Sequence, residues 1–340
     1  MILACVISCE NPANDFPDFE YTAGYFPYQY PVRTLVLGNY IYDNSNDNNH
    51  RFVVSTAMGG VYKNTSDRIF HFVVDESLCQ DAYFENGDII RPLPASYYQL
   101  SDPDKIVIPA GEMNGGVGVQ LSEAFFNDPL AIKKAYVLPL RITGVTNLDT
   151  LIQGVALSPV SDRRIPMQWS VAPKDFTMFA VKFVNPYHGR YLMRGKATVM
   201  ENGASLSDST YRSASGYVEQ DAIVSLTTES RTKVSMSSTF KTLLIPGSFD
   251  LTLNFATDEY DIEGGVPCTV EAPAGAPYTV TGSGKYIMDG GEFGGKKRDL
   301  IEISYAINID AKVYTATDRL VFRDKGVRME TFSPGIIPEF

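Results

Sequence analysis

The sequence predicts an all-β protein of two domains, a β-sandwich followed by an antiparallel barrel. Segments of strand length, rich in β-branched and aromatic residues and closed by turn residues, follow one another through the first half. Two segments of the second half alternate apolar and polar residues with a period of two. The aromatic residues are led by tyrosine, 20 Tyr to one Trp, beside 27 Gly and 20 Pro, which suits a chain of many short strands and tight turns. A length of 340 residues accommodates two domains, each large enough to bury its own core.

The elements follow in order. Residues 1–9, MILACVISC, read as a truncated lipoprotein signal: Val6-Ile7-Ser8-Cys9 resembles a bacterial lipobox, although no Lys or Arg precedes the apolar run. Cys9 is then the expected lipid attachment; the competing reading makes 1–9 an apolar first strand. Residues 10–20 are a polar tether. The sandwich is expected over 21–146. It begins with YTAGYFPYQYPVRTLVLGNYIYD, whose Pro27 and Pro31 suit an edge strand. HRFVVSTAMGGVY, DRIFHFVVD, KIVIPAG, GGVGVQLS and AYVLPLRIT follow. Phe70, Phe72 and Val74 share one side of a strand, as do Val117, Val119 and Leu121. Only Ser122 to Ala135 reads as helical, interrupted at Asn127-Asp128-Pro129.

Residues 147–186, with Pro159, Pro166, Pro173 and Pro186 spread through them, read as a linker or interdomain segment carrying Trp169. The barrel is expected over 187–332 and a tail over 333–340. In the barrel, Phe249, Leu251, Leu253 and Phe255 alternate with Asp250, Thr252 and Asn254. Ile301, Ile303, Tyr305, Ile307 and Ile309 alternate with Glu302, Ser304, Ala306 and Asn308. Each pattern predicts a strand with one buried and one wet face. With GRYLMRGKATVM, YVEQDAIVSLTT, TKVSMSSTF, APYTVTGSG and TDRLVFRDKG, the strands are numerous enough to close a barrel. TGSGK over 281–285 has the look of a phosphate loop, but Thr279 and Tyr286 stand where that loop needs Gly and Ser or Thr. The strand APYTVTGSG is expected to pass into a glycine-rich turn region, KYIMDGGEFGGKKRD, with Gly290, Gly291, Gly294 and Gly295 free to take positive φ.

Two blocks carry a family resemblance. YFPYQYPVRTLVLGNY, HRFVVSTAMGGVYKN, DRIFHFVVD, KIVIPAGEMNGGVGVQL and AYVLPLRIT resemble the immunoglobulin-like domain of unknown function in surface lipoproteins of glycan-degrading gut bacteria. That domain also precedes the catalytic barrel of some endo-β-N-acetylglucosaminidases. NPYHGRYLMRGKATV, YTVTGSGKYIMDGGEFGGKKRDLIEISYAI and TDRLVFRDKGV resemble an uncharacterised, lipocalin-like barrel family that commonly follows it. The likeness covers residues 20–332. It implies an outer-membrane lipoprotein of a glycan-utilisation locus, held to the membrane through its lipid only, and brings no catalytic or ligand residue with it.

Composition narrows the function. A net charge of −11 and a pI near 4.8 argue against a nucleic-acid binder, which needs a basic surface to release counterions. Cysteines at 5, 9, 79 and 268 form neither a disulfide framework nor a CxxC pair, and no cofactor is expected. Asp258, Asp261 and Glu263 echo part of a chitinase-like acidic signature but have no βα barrel around them, so they read as turn residues. Asp43, Ser45, Asp47 and Asn49 alternate as in a Ca²⁺ loop, yet Asn48 and Val54 break the EF-hand pattern, and no metal is expected. The histidines, His50, His71 and His188, belong to no hydrolase motif. What is left is aromatic: Trp169, Tyr187, Tyr191, Tyr211 and Tyr217 form the candidate ligand surface, since aromatic faces stack on the C–H faces of sugars. The expected protein is a non-catalytic glycan-binding accessory, with a glycan and outer-membrane transporter components as candidate partners. A scaffold without a small ligand and a hydrolase of unfamiliar type are the alternatives.

Overall fold

The computed structural model describes residues 19–337, so Cys9 lies outside the described residues. The first domain is built from two sheets. One runs, in spatial order, Thr150–Leu151, Ala23–Tyr25, Arg51–Gly59, Asn114–Leu121 and Tyr98–Leu100. The other runs Glu330–Thr331, Pro31–Val36, Phe176–Val184, Tyr136–Thr146, Arg68–Val74 and Lys105–Ile108, with Arg91–Pro92 paired to Tyr136–Thr146. Alternation decides what lies between them. Phe52, Val54 and Met58 meet Val117, Val119, Phe70, Phe72, Leu138 and Leu140 in one dry core. The helix expected over 122–135 is a single turn, Glu123–Phe126.

Two expectations fail here. Phe176–Val184, placed in the interdomain segment, is a central strand, antiparallel to Tyr136–Thr146 and parallel to Pro31–Val36. Its sheet is covered on both faces, because Leu78, Phe84, Ile90 and Phe332 pack on the side away from the main core. A strand buried on both faces loses its period of two, so FTMFAVKFV gives no alternation to read. Residues 330–332, expected to end the barrel, and the start of the expected tail pair and pack with the first domain instead. After the barrel the chain returns to pair Glu330 with Val32 and Gly335 with Tyr83, and Phe332 sits edge-on to Tyr30 and Phe84.

The second domain is a closed antiparallel barrel of eight strands. They are Gly189–Glu201, Ala222–Thr228, Lys233–Thr239, Ser248–Phe255, Val266–Glu271, Thr279–Phe293, Lys296–Ile309 and Lys312–Asp324. Closure comes from the first and last, which pair from Arg190↔Asp324 to Glu201↔Lys312, while Ala204–Tyr211 flanks the upper part of the first. Eight strands leave an interior that side chains just fill. Tyr187, Tyr191, Phe249, Leu251, Phe255, Tyr286, Ile301, Ile303 and Tyr314 fill it, and both alternating segments point their apolar residues inward as predicted.

The glycine-rich stretch differs from expectation. Thr279–Phe293 is one strand, and of the four glycines expected at positive φ only Gly294 and Gly295, in the turn, adopt it. Gly282 and Gly284 face inward where strands crowd: a Cβ on Gly282 would stand 2.6 Å from the Ser304 carbonyl oxygen, and one on Gly284 would collide with that of Glu302. Gly38, at φ +89°, lies against Pro186 where the domains meet. Asn39 donates to Asp299 there, and Arg231 bridges Glu123 of the sandwich and Asp258 of the barrel.

Candidate functional site

An open recess of about 870 Å³ lies on the outer wall of the barrel. Strand register explains the hollow. Three rows of outward side chains cross the strands. The first is Lys285, Glu302, Arg319 and Arg194; the second Ser283, Ser304, Thr317 and Lys196; the third Thr281, Ala306, Thr315 and Thr198. The second and third rows are mostly Ser, Thr and Ala, so the wall is low there, while the long side chains of the first row form a rim. A second hollow of about 410 Å³ shares Lys196, Ser304 and Thr317 and continues the floor along the third row. With Thr210 of the flanking strand, five strands about 4.8 Å apart make a face about 19 Å wide.

The rim is cationic. Arg194, Lys196, Arg212, Lys285 and Arg319 line the recess against two carboxylates, Glu302 and Asp318. Two of the cations have partners. Arg194 Nε donates to the buried Asp221 at 2.6 Å and its guanidinium also reaches the Gly216 carbonyl, which fixes the 212–221 loop; Arg319 Nε stands 3.8 Å from Glu302. Among the described residues, Lys196, Arg212 and Lys285 make no ion pair, and all three are exposed. Asp318 does little to offset them. It faces inward, accepts hydrogen bonds from the Tyr211 and Tyr305 hydroxyls, and burial raises its pKa. Gly195 makes room for this cluster, since a Cβ there would lie 2.7 Å from the Tyr211 hydroxyl.

The expected aromatic surface does not form. Tyr187 and Tyr191 are fully buried inside the barrel, with their hydroxyls given to the carbonyls of Thr257 and Tyr187, and Tyr187 stacks on Phe255 at 3.6 Å. They occupy the inward side at the start of the first barrel strand, so neither faces a ligand. Tyr211 lines the recess by its bond to Asp318, and Tyr217 is exposed in the neighbouring loop. Trp169 lies elsewhere, beside a recess of about 360 Å³ in the first domain. Its indole donates to the Asp162 carbonyl, and the arginines of that recess, Arg141 and Arg163, are both paired, to Asp75 and Asp175.

Most of the remaining polar candidates have structural partners. Asp47 accepts from Val36 N at 2.9 Å and from Arg33, tying its loop to a strand end. Asp258 pairs with Arg231, and Asp261 and Glu263 are exposed. His50 lies 3.4 Å from Glu123, and His71 contacts Thr146 Oγ1. His188 accepts the Thr228 N–H, and burial brings its pKa down to about 4. Sequence reasoning missed Lys196, Arg212, Lys285 and Arg319. The signal was the wet face of the 301–309 alternation, Glu302 and Ser304, which becomes a site only once the neighbouring registers are known.

Residues 186–326 match a domain of unknown function, DUF5627, and residues 19–149 match a family described as an N-terminal domain. A crystal structure of a protein of unknown function from Bacteroides ovatus is 35% identical, with a TM-score of 0.84, covering 93% of this chain and 99% of that one. Two others are 13% identical. A multidomain protein including DUF1735 from the same organism has a TM-score of 0.38 over 92% of this chain and 100% of that one. An auxiliary nutrient binding protein from Bacteroides thetaiotaomicron has 0.37 over 86% and 90%. No curated protein matches.

Proposed function

We propose, given that the chain belongs to the two-domain family of the 35%-identical Bacteroides ovatus protein, that it is a non-catalytic accessory protein that binds a glycan along the outer wall of its barrel. The hollow itself carries this reading: a floor of Ser and Thr hydroxyls with a rim of long donors, open along its length, fits an extended chain of hydroxylated rings. The barrel interior offers no comparable space, being filled by aromatic and aliphatic side chains. Hydrolysis of a glycoside calls for two carboxyls on either side of the scissile bond. Here Glu302 stands on the outer face and Asp318 on the inner, locked between two phenols, which favours binding over catalysis.

Cys9 is the proposed lipid attachment, on the strength of its lipobox, and the outer membrane the proposed location. Both follow from the sequence. A glycan array probed with the purified protein tests the binding function. Binding of at least one glycan class is expected; a blank array would put the scaffold reading in its place.

A further inference from the structure

We infer that the outer-wall groove selects acidic oligosaccharides, those carrying uronate carboxylates or sulfate esters, over neutral ones; this rests on the glycan-binding reading above. Five cationic side chains line a recess that holds two carboxylates. One of those carboxylates is buried between phenols, and three of the cations lack an acidic partner among the described residues. On a chain with a net charge of −11, such a concentration is local, and the field outside the groove repels anions.

The geometry separates two kinds of contact. Hydroxyls of Ser283, Ser304, Thr315 and Thr317 form the floor and serve any sugar as donor or acceptor. Lys285 and Lys196 stand on two adjacent rows at opposite sides of the strand set, with Arg319 and Arg212 presenting planar forks. A chain laid across the rows would place anionic substituents against both lysines, and forked guanidinium bonds to carboxylate or sulfate would fix its register. The Trp169 recess has no such surplus, since each of its arginines is already paired with an aspartate.

Calorimetric titration of the full chain with three probes tests this: oligogalacturonate, a sulfated chondroitin oligosaccharide and neutral cello-oligosaccharide. Binding to at least one acidic probe is expected, tighter than to the neutral one by tenfold or more and weakened as salt rises. The two acidic arms distinguish carboxylate from sulfate. Lys196→Gln with Lys285→Gln should weaken acidic binding about tenfold, with an unchanged melting temperature showing that the fold persists. Equal binding of the neutral probe, or full acidic binding by the double variant, would overturn the charge selectivity while leaving the groove as a glycan site. Binding of none of the three, together with a blank glycan array, would overturn both readings.

Discussion

The strands Thr279–Phe293, Lys296–Ile309, Lys312–Asp324 and Gly189–Glu201 show two unlike faces. Inward, Tyr286, Ile301, Ile303, Tyr314 and Tyr191 interlock without exposure. Outward, one residue along, stand Lys285, Glu302, Ser304, Thr315, Thr317 and Lys196. The inner face holds the barrel closed; the outer face packs only at one end, where Leu192, Leu300 and Val321 lie under Val218, Ile287 and Phe293, and along the groove rows it is free to carry recognition. Function in this domain is therefore expected outside the barrel, on side chains whose removal leaves the fold intact.

The comparison breaks first if inner and outer substitutions have similar effects on stability. Leu251→Ala, in the sealed interior, is expected to cost about 2–5 kcal/mol in urea unfolding through lost burial and a residual cavity. Thr317→Ala, on the groove floor, should stay within about 0.5 kcal/mol of the parent. Costs of equal size would mean that the outer face is structural.

Buried ionisable groups sharpen the comparison through pH. Lys325 is fully buried, its ammonium donating to the Pro186 carbonyl at 2.6 Å, and desolvation lowers its pKa from 10.5 to about 7. Between those values the unfolded chain holds a proton that the folded chain has released. Its contribution therefore makes stability rise with pH from about 7 to about 10.5. Lys325→Met should flatten that part of a urea-midpoint profile. His188 works in the acid range, where burial holds its pKa near 4 against an ordinary 6.5. Stability is thus lost as pH falls from about 6.5 to about 4, and His188→Gln should reduce the slope there. Unaltered profiles would show that neither group is shielded as the packing implies. The smallest effect belongs to Trp169→Ala, which should leave glycan-array signals unchanged because the groove lies in the other domain.

Much of this architecture was legible in the sequence, and the reasons differ by element. Phe249–Phe255 and Ile301–Ile309 have one wet face, and their alternation survives in the chain as a readable pattern. Phe176–Val184 has none, so its apolar run carried no period and the prolines around it suggested a linker. Gly290 and Gly291 read as turn residues because the sequence does not show the register shift that keeps them within a strand. The site was harder still. Tyrosine suits a sugar-stacking surface and a barrel core equally well, and Tyr187 and Tyr191 went to the core. Net charge also misled locally, since a total of −11 gives no hint that five cations gather on one face. They come from three strands and the residue just past a fourth, and meet only through register.

Blocking the groove tests the central claim most directly. Ser304 sits in the middle of the floor, exposed and flanked by Ser283 and Thr317, so Ser304→Trp would fill the hollow from a position that supports no core contact. Glycan-array binding by this variant, beside the parent protein at matched melting temperature, is predicted to fall to background on every glycan the parent binds. Binding that persists at the parent level would place recognition elsewhere on the molecule.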